Sequence, residues 1–269
     1  MKRNRIIASI IFIVIIIGGM LSLGFGGPER IDIVGSTSVQ PVAEKLAEEY
    51  GINHSDVKIN VQGGGSSLGI KTAHEGIADI GMSSKELDDS NKHDLKEYEI
   101  GRDGIVVVVN ANNNVSDLTK DQLKGIFSGK ITSWKDVGGS DNKINVVVRE
   151  AGSGILDAFE GIVMGDAKIK SDAIVQSSTE AIKQSVKQDE NAIGFVSFAH
   201  MSNDVNTIKV GGISPTIETI ADGSYELQRP FLFLVKGEPT GELKEFIEWT
   251  NGAEAQKILE SEKIIKLDE

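Results

Sequence analysis

The sequence predicts an α/β fold built as two lobes, and three observations carry that reading. Apolar, strand-like stretches at 31–34, 57–61, 78–82 and 105–109 alternate with helix-like segments. An Asn-rich break at 110–114 is followed by a second series of the same kind. A dense apolar run at 231–235, ahead of two closing helices, then brings the chain back to the first unit. Such alternation argues for a mostly parallel sheet covered on both faces.

Taken in order, the strand at 31–34 leads into a helix at 39–50, with Pro41 in its first turn, where a missing N–H does no harm. A strand at 57–61, a helix at 68–75, a strand at 78–82 and a helix at 89–98 follow, and 105–109 is a solid strand. The second series reads helix 120–127, strand 144–148, helices 155–164 and 179–188, and strand 192–196. Pro230 precedes the strand 231–235, and helices at 241–250 and 253–261 close the fold. If 105–109 and 231–235 are the two crossings, the first lobe is 29–109 plus 232–269 and the second is 110–231. Two connecting strands make a hinge, and a ligand then sits in the cleft at the carboxyl ends of the strands.

Composition narrows the chemistry. With 269 residues and no cysteine, the chain has no disulfide, no thiolate metal site, no Cys nucleophile and no lipidated Cys anchor. Lys2, Arg3 and Arg5 precede an apolar run at 6–25, the pattern of an export or membrane-spanning segment. Its length suffices for a bilayer, so residues 1–28 are either a removed signal peptide or an uncleaved anchor. Beyond residue 28 the chain holds 25 Lys plus Arg against 40 Asp plus Glu, a net charge of −15. That balance disfavours nucleic acid and anionic membrane surfaces as partners. It leaves room for an anion in a closed cleft, because surface charge is screened within roughly 8–10 Å while hydrogen bonds act at contact.

Three loops supply such a cleft. Gly35-Ser36-Thr37-Ser38, Gly63-Gly64-Gly65-Ser66-Ser67 and Arg149-Glu150-Ala151-Gly152-Ser153-Gly154 each follow a predicted strand and precede a predicted helix. Backbone N–H groups and hydroxyls therefore gather where the helix dipole favours negative charge. Arg149, the one cation among them, offers a planar fork suited to two oxygens of a tetrahedral oxyanion. Glu150 stands beside it, either orienting the guanidinium or simply solvated. The segment 64–72 has one residue too many for a nucleotide-binding P-loop, and Ser153 lacks the spacing of a hydrolase nucleophile.

These loops, together with Ala78-Asp79-Ile80-Gly81-Met82-Ser83-Ser84, Phe127-Ser128-Gly129-Lys130-Ile131-Thr132-Ser133-Trp134 and Asn191-Ala192-Ile193-Gly194-Phe195, resemble the substrate-binding proteins of phosphate ABC transporters over residues 31–267. The resemblance implies the two-lobed, type II periplasmic-binding-protein fold with two hinge strands. It implies inorganic phosphate as ligand and a membrane permease with its ATPase as partners. It also implies a monomer working outside the cytoplasm, secreted or tethered by the N-terminal segment, with no cofactor, no metal and no catalytic activity. Carried over by position, the phosphate-binding residues are Thr37, Ser38, Ser66, Ser84, Arg149, Ser153 and Gly154, with Ser36, Ser67, Glu150 and Gly152 behind them. Where relatives place an aspartate that accepts the phosphate proton, this chain has Ser84. Ala151 and Ile155 stand at two further positions where relatives differ. A hydroxyl at Ser84 softens the exclusion of a dianion such as sulfate. The alternative readings are a binding protein for sulfate, molybdate or tungstate, or an enzyme on the same fold.

Overall fold

The computed structural model describes residues 29–87, 92 and 94–265; the basic and apolar segment at 1–28 lies outside them. In chain order the elements are β1 (Glu29–Gly35), α1 (Gln40–Asn53), β2 (Val57–Gly63), α2 (Ser66–Glu75), β3 (Ile80–Ser83), β4 (Leu95–Asn110), β5 (Asp117–Leu118), α3 (Lys120–Phe127) and β6 (Asn145–Arg149). There follow α4 (Gly154–Phe159), running into a π-helical turn (Glu160–Met164), then β7 (Ile174–Gln176), α5 (Thr179–Gln188), β8 (Ala192–Ser197), β9 (Val205–Thr207) and β10 (Lys209–Val210). The chain closes with α6 (Ile217–Ala221), β11 (Gln228–Lys236), α7 (Gly241–Thr250) and α8 (Ala253–Ser261).

Among the described residues one sheet runs in the order β2-β1-β3-β11-β4-β8-β6-β7, with β9 also on β4. Its two flanks are parallel, as expected: β1 pairs with β2 and β3, and β6 pairs with β7 and β8. Its middle is not. β11 is antiparallel to β3 and β4, and β4 is antiparallel to β8 and β9. The expected mostly parallel sheet is thus confined to the βαβ units, whose helical crossovers require it, while the strands that join the two halves run against each other.

The largest departure from the sequence reading is at 89–98. Residues 88–91 and 93 lie outside the described set, and from Leu95 onward the chain is strand, not helix. Leu-Lys-Glu-Tyr-Glu-Ile has helix-forming composition, but this stretch pairs residue by residue with β11, Lys236 opposite Leu95 through Leu232 opposite Glu99. A propensity worth at most about 0.7 kcal/mol per residue does not compete with that ladder. The helix expected at 155–164 is present but widens into the π turn at its second half.

Two apolar clusters lie on either side of the sheet's middle. One gathers Ile31, Ile33, Leu46, Ile80, Met82 and Ile100 with Phe231, Phe233, Phe246 and Leu259. The other gathers 105–109, Phe127, Phe159 and Phe195, with Phe159 and Phe195 stacked at 4.2 Å and Phe127 tilted against both at 4.6 and 5.6 Å, and continues to Leu227. The clusters change over between Ile100 and Ile105, and again between Leu227 and Phe231. Residues 105–109 therefore pack with the second cluster. The crossings are the sixteen-residue β4, whose first half pairs β11 and whose second half pairs β8 and β9, and the start of β11.

The turn after β1 is forced by close packing. A Cβ on Gly35, at φ +146°, would lie 2.2 Å from the Met82 carbonyl oxygen and 2.9 Å from Gly69 Cα. Only glycine lets β1, β3 and α2 converge there, and that convergence brings the Ser/Thr loops together.

Candidate anion-binding site

Where β1 and β3 end and α2 begins, three buried hydroxyls meet. Ser36 Oγ lies 2.8 Å and Ser66 Oγ 3.3 Å from Ser84 Oγ, and the Ser84 N–H donates to Ser66 Oγ at 3.1 Å. The backbone N–H groups of Ser38 and Val39 donate to Ser36 Oγ at 3.2 and 3.4 Å. Ser36, Ser38, Ser66, Ser84 and Ser153 are all buried. Gly154 comes across from the other half of the molecule against this group: a Cβ there would lie 2.2 Å from Ser66 Oγ and 2.5 Å from Ser84 Oγ. Ser67 donates its backbone N–H to the Gly152 carbonyl at 3.1 Å, closing loop two on loop three.

Arg149, at the end of β6, is 1% exposed and reaches over the same boundary. Its Nη1 donates to Thr37 Oγ1 at 2.9 Å and to Thr179 Oγ1 at 3.4 Å, and Ser38 Oγ and Thr179 Oγ1 share a hydrogen bond at 3.1 Å. Its remaining donors are held by Glu150, Nε to Oε2 at 3.1 Å and Nη2 to Oε1 at 2.7 Å, and by the carbonyls of Gln176 and Ser177. Glu150 therefore orients the guanidinium rather than standing free. Partial burial pushes its carboxyl upward, but the hydrogen bonds and charge of Arg149 outweigh this and leave it below the ordinary glutamate value.

Sequence reasoning missed four residues here. Thr179 opens α5 after Gln176-Ser177-Ser178, a fourth strand-to-helix turn rich in hydroxyls, and the same signature could have found it. The other three form a buried network beneath Ser84. Arg229 Nη1 donates to Ser84 Oγ at 2.7 Å, while its Nε and Nη2 hold Asp103 Oδ2 at 3.1 and 2.8 Å. Ser197 Oγ donates to Asp103 Oδ1 at 2.7 Å. Nothing local in Gln228-Arg229-Pro230 announces this, because the partner carboxylate is supplied by β4 and the hydroxyl by the end of β3. Burial lowers the affinity of Arg229 for its proton, and the charge and hydrogen bonds of Asp103 oppose that. Beside them, Lys85 and Asp157 form an ion pair across the boundary, at the edge of a cavity of about 430 Å³ that also touches Arg229 and Pro230.

Comparison with known proteins fits this geometry. A PBP superfamily domain matches residues 26–254. The phosphate-binding protein PstS of Bacillus subtilis is 31% identical over 233 residues, spanning 85% of this chain and 77% of that protein. The chain belongs to the PstS family.

Solved relatives support the PstS assignment at the level of the fold and beyond. A structure from Clostridium perfringens, assigned as a phosphate ABC transporter substrate-binding protein and holding phosphate, is 42% identical with a TM-score of 0.86, covering 89% of this chain and all of that one. An ABC-type phosphate transport receptor from Vibrio cholerae is 38% identical with a TM-score of 0.77, covering 88% of this chain and all of that one. The fold is thus the two-lobed periplasmic-binding-protein architecture, and the PstS motifs of this chain fall on the turns that face each other across its middle. Among the described residues, no helix is long and apolar enough to cross a membrane.

Proposed function

We propose that this chain binds inorganic phosphate between its two lobes and presents it to an ABC permease and its ATPase. The observation that carries the reading is the convergence of the Ser36 and Ser66 hydroxyls on Ser84 Oγ, at 2.8 and 3.3 Å, faced by Gly154 and flanked by Arg149. Thr37, Ser38, Ser66, Ser84, Arg149, Ser153 and Gly154 are the ligand-binding residues in this reading; Ser36, Ser67, Gly152 and Glu150 hold them in place. An anion would replace the contacts that Arg149 Nη1 makes to Thr37 and Thr179 with a bond to its own oxygens, which charge assistance makes about twice as strong as a neutral pair.

The lobes in this reading are 29–103 plus 228–265 and 104–227, following the two apolar clusters, and they close by bending at the two crossings. The molecule acts as a monomer on the outer side of the membrane, exported or tethered by residues 1–28. It is a binding protein and not an enzyme: among the described residues the Glu150 and Asp103 carboxylates beside the ligand residues are each engaged by an arginine. Calorimetric titration of the purified chain with phosphate tests this directly. One-to-one binding that is strongly weakened in Arg149→Ala is the expected outcome; no heat with phosphate would overturn the reading.

A further inference from the structure

The hydrogen bonds around Ser84 have a direction. A hydroxyl offers one hydrogen and two lone pairs, and a guanidinium or backbone N–H only donates. Ser36 Oγ receives the N–H groups of Ser38 and Val39, so its lone pairs are filled and its hydrogen goes to Ser84 Oγ. Ser84 Oγ then receives both Ser36 and Arg229 Nη1, so its own hydrogen points away from them, toward Ser66 and the face that Gly154 closes. Ser66 Oγ in turn receives the Ser84 N–H. Arg229 cannot swing aside, because Asp103 holds it through two nitrogens and Ser197 holds Asp103, all fully buried.

Building on the phosphate-binding reading, we propose that Arg229 is a positioning residue for specificity: by filling the Ser84 lone pair it makes Ser84 donate to the bound anion and withholds Ser84 Oγ as an acceptor for a ligand proton. The preferred ligand is then the anion form whose oxygens all accept at this point. Phosphate is taken as its dianion, and sulfate, which carries no proton to place, competes for the same site. Other charged groups near the relay are Arg149 with Glu150, the Lys85–Asp157 pair, and His200 near the Asp103–Arg229 pair, with the Lys183–Glu180 pair next to His200.

Sulfate separates ligand protonation from titration of these groups, since its own charge is constant over the range measured. Affinities of the full chain for phosphate and for sulfate are measured from about pH 5.5 to about pH 8.5. Expected is a phosphate affinity that rises about tenfold per pH unit below its second ionisation and levels above it, with sulfate affinity flat and sulfate displacing phosphate. In Arg229→Met, which has no donor to replace the guanidinium, the freed lone pair lets Ser84 accept, so the pH slope for phosphate flattens and the phosphate-to-sulfate ratio rises; Arg229→Lys, a donor-only cation, retains the wild-type profile. A merely structural arginine would lower both affinities together and leave the slope unchanged. The wild-type arms need no variant to fold. Phosphate binding that is independent of pH, or sulfate that fails to compete, overturns the inference while leaving the phosphate reading intact; failure of both anions to bind overturns both.

Discussion

Arg149 and Arg229 are buried to the same degree, about 1% exposed, yet they are set in opposite surroundings. Arg149 leans on a carboxylate that is 37% exposed and spends its inner nitrogen on two neutral hydroxyls from different loops. Arg229 is matched to a carboxylate with no exposure at all and spends its inner nitrogen on a single serine. The first charge is only partly neutralised and its inner contacts are exchangeable, which is what a ligand needs. The second is neutralised inside the protein and serves to fix a neighbour. Burial alone does not distinguish a binding group from a structural one; the partner's exposure does.

That contrast yields a graded set of tests. Asp103→Asn leaves the Arg229 charge buried without a counter-charge and should cost about 3–5 kcal/mol of folding stability, read as a large drop in the denaturant midpoint. Arg149→Ala should do the reverse, weakening phosphate binding by about 3 kcal/mol, roughly two decades of affinity, with a smaller change in stability because Glu150 stays partly solvated. If Arg149→Ala unfolds the protein and Asp103→Asn leaves it stable, the contrast is wrong. Gly154→Ala sharpens it further: the added methyl would press on Ser66 and Ser84, so affinity should fall by about 1–3 kcal/mol while each lobe keeps its core; calorimetry beside a thermal melt separates the two.

The smallest effect concerns Glu150, whose native carboxyl lies below its ordinary value of 4.5. A lowered native value stabilises the fold above the unfolded value and that contribution is lost as pH falls through the native one. Glu150→Gln should therefore cost under about 1 kcal/mol at neutral pH, given its exposure, and flatten the acid limb of a stability-versus-pH curve. An unchanged acid limb would show that Glu150 does not couple to Arg149 in solution.

Most of the secondary structure was legible because hydrophobic period and local turn chemistry agree with the tertiary environment. Lys120–Phe127, Thr179–Gln188, Gly241–Thr250 and Ala253–Ser261 lie where the sequence places helices. The strand at Leu95 was illegible because its cause, the β11 edge, lies more than a hundred residues away. The loops of the candidate site could be read for the same reason as the helices: each is a local strand-to-helix turn. Arg229, Asp103 and Ser197 form a network spread over three strands, and a single sequence carries no local mark of such a meeting.

The way the two clusters divide the chain also sets a timetable. Apart from Ile265, every buried member of the second cluster lies between Ile105 and Leu227, one uninterrupted stretch. The first cluster needs Phe231, Phe233, Phe246, Ile247 and Leu259 to join strands that precede residue 101. A chain emerging from its N-terminus therefore completes the interior of the second half while the first still lacks its central strand and closing helices. Refolding should show the aromatic stack of Phe127, Phe159 and Phe195 forming early and the β3–β11 ladder late, because pairings across the longest loops are the slowest to close.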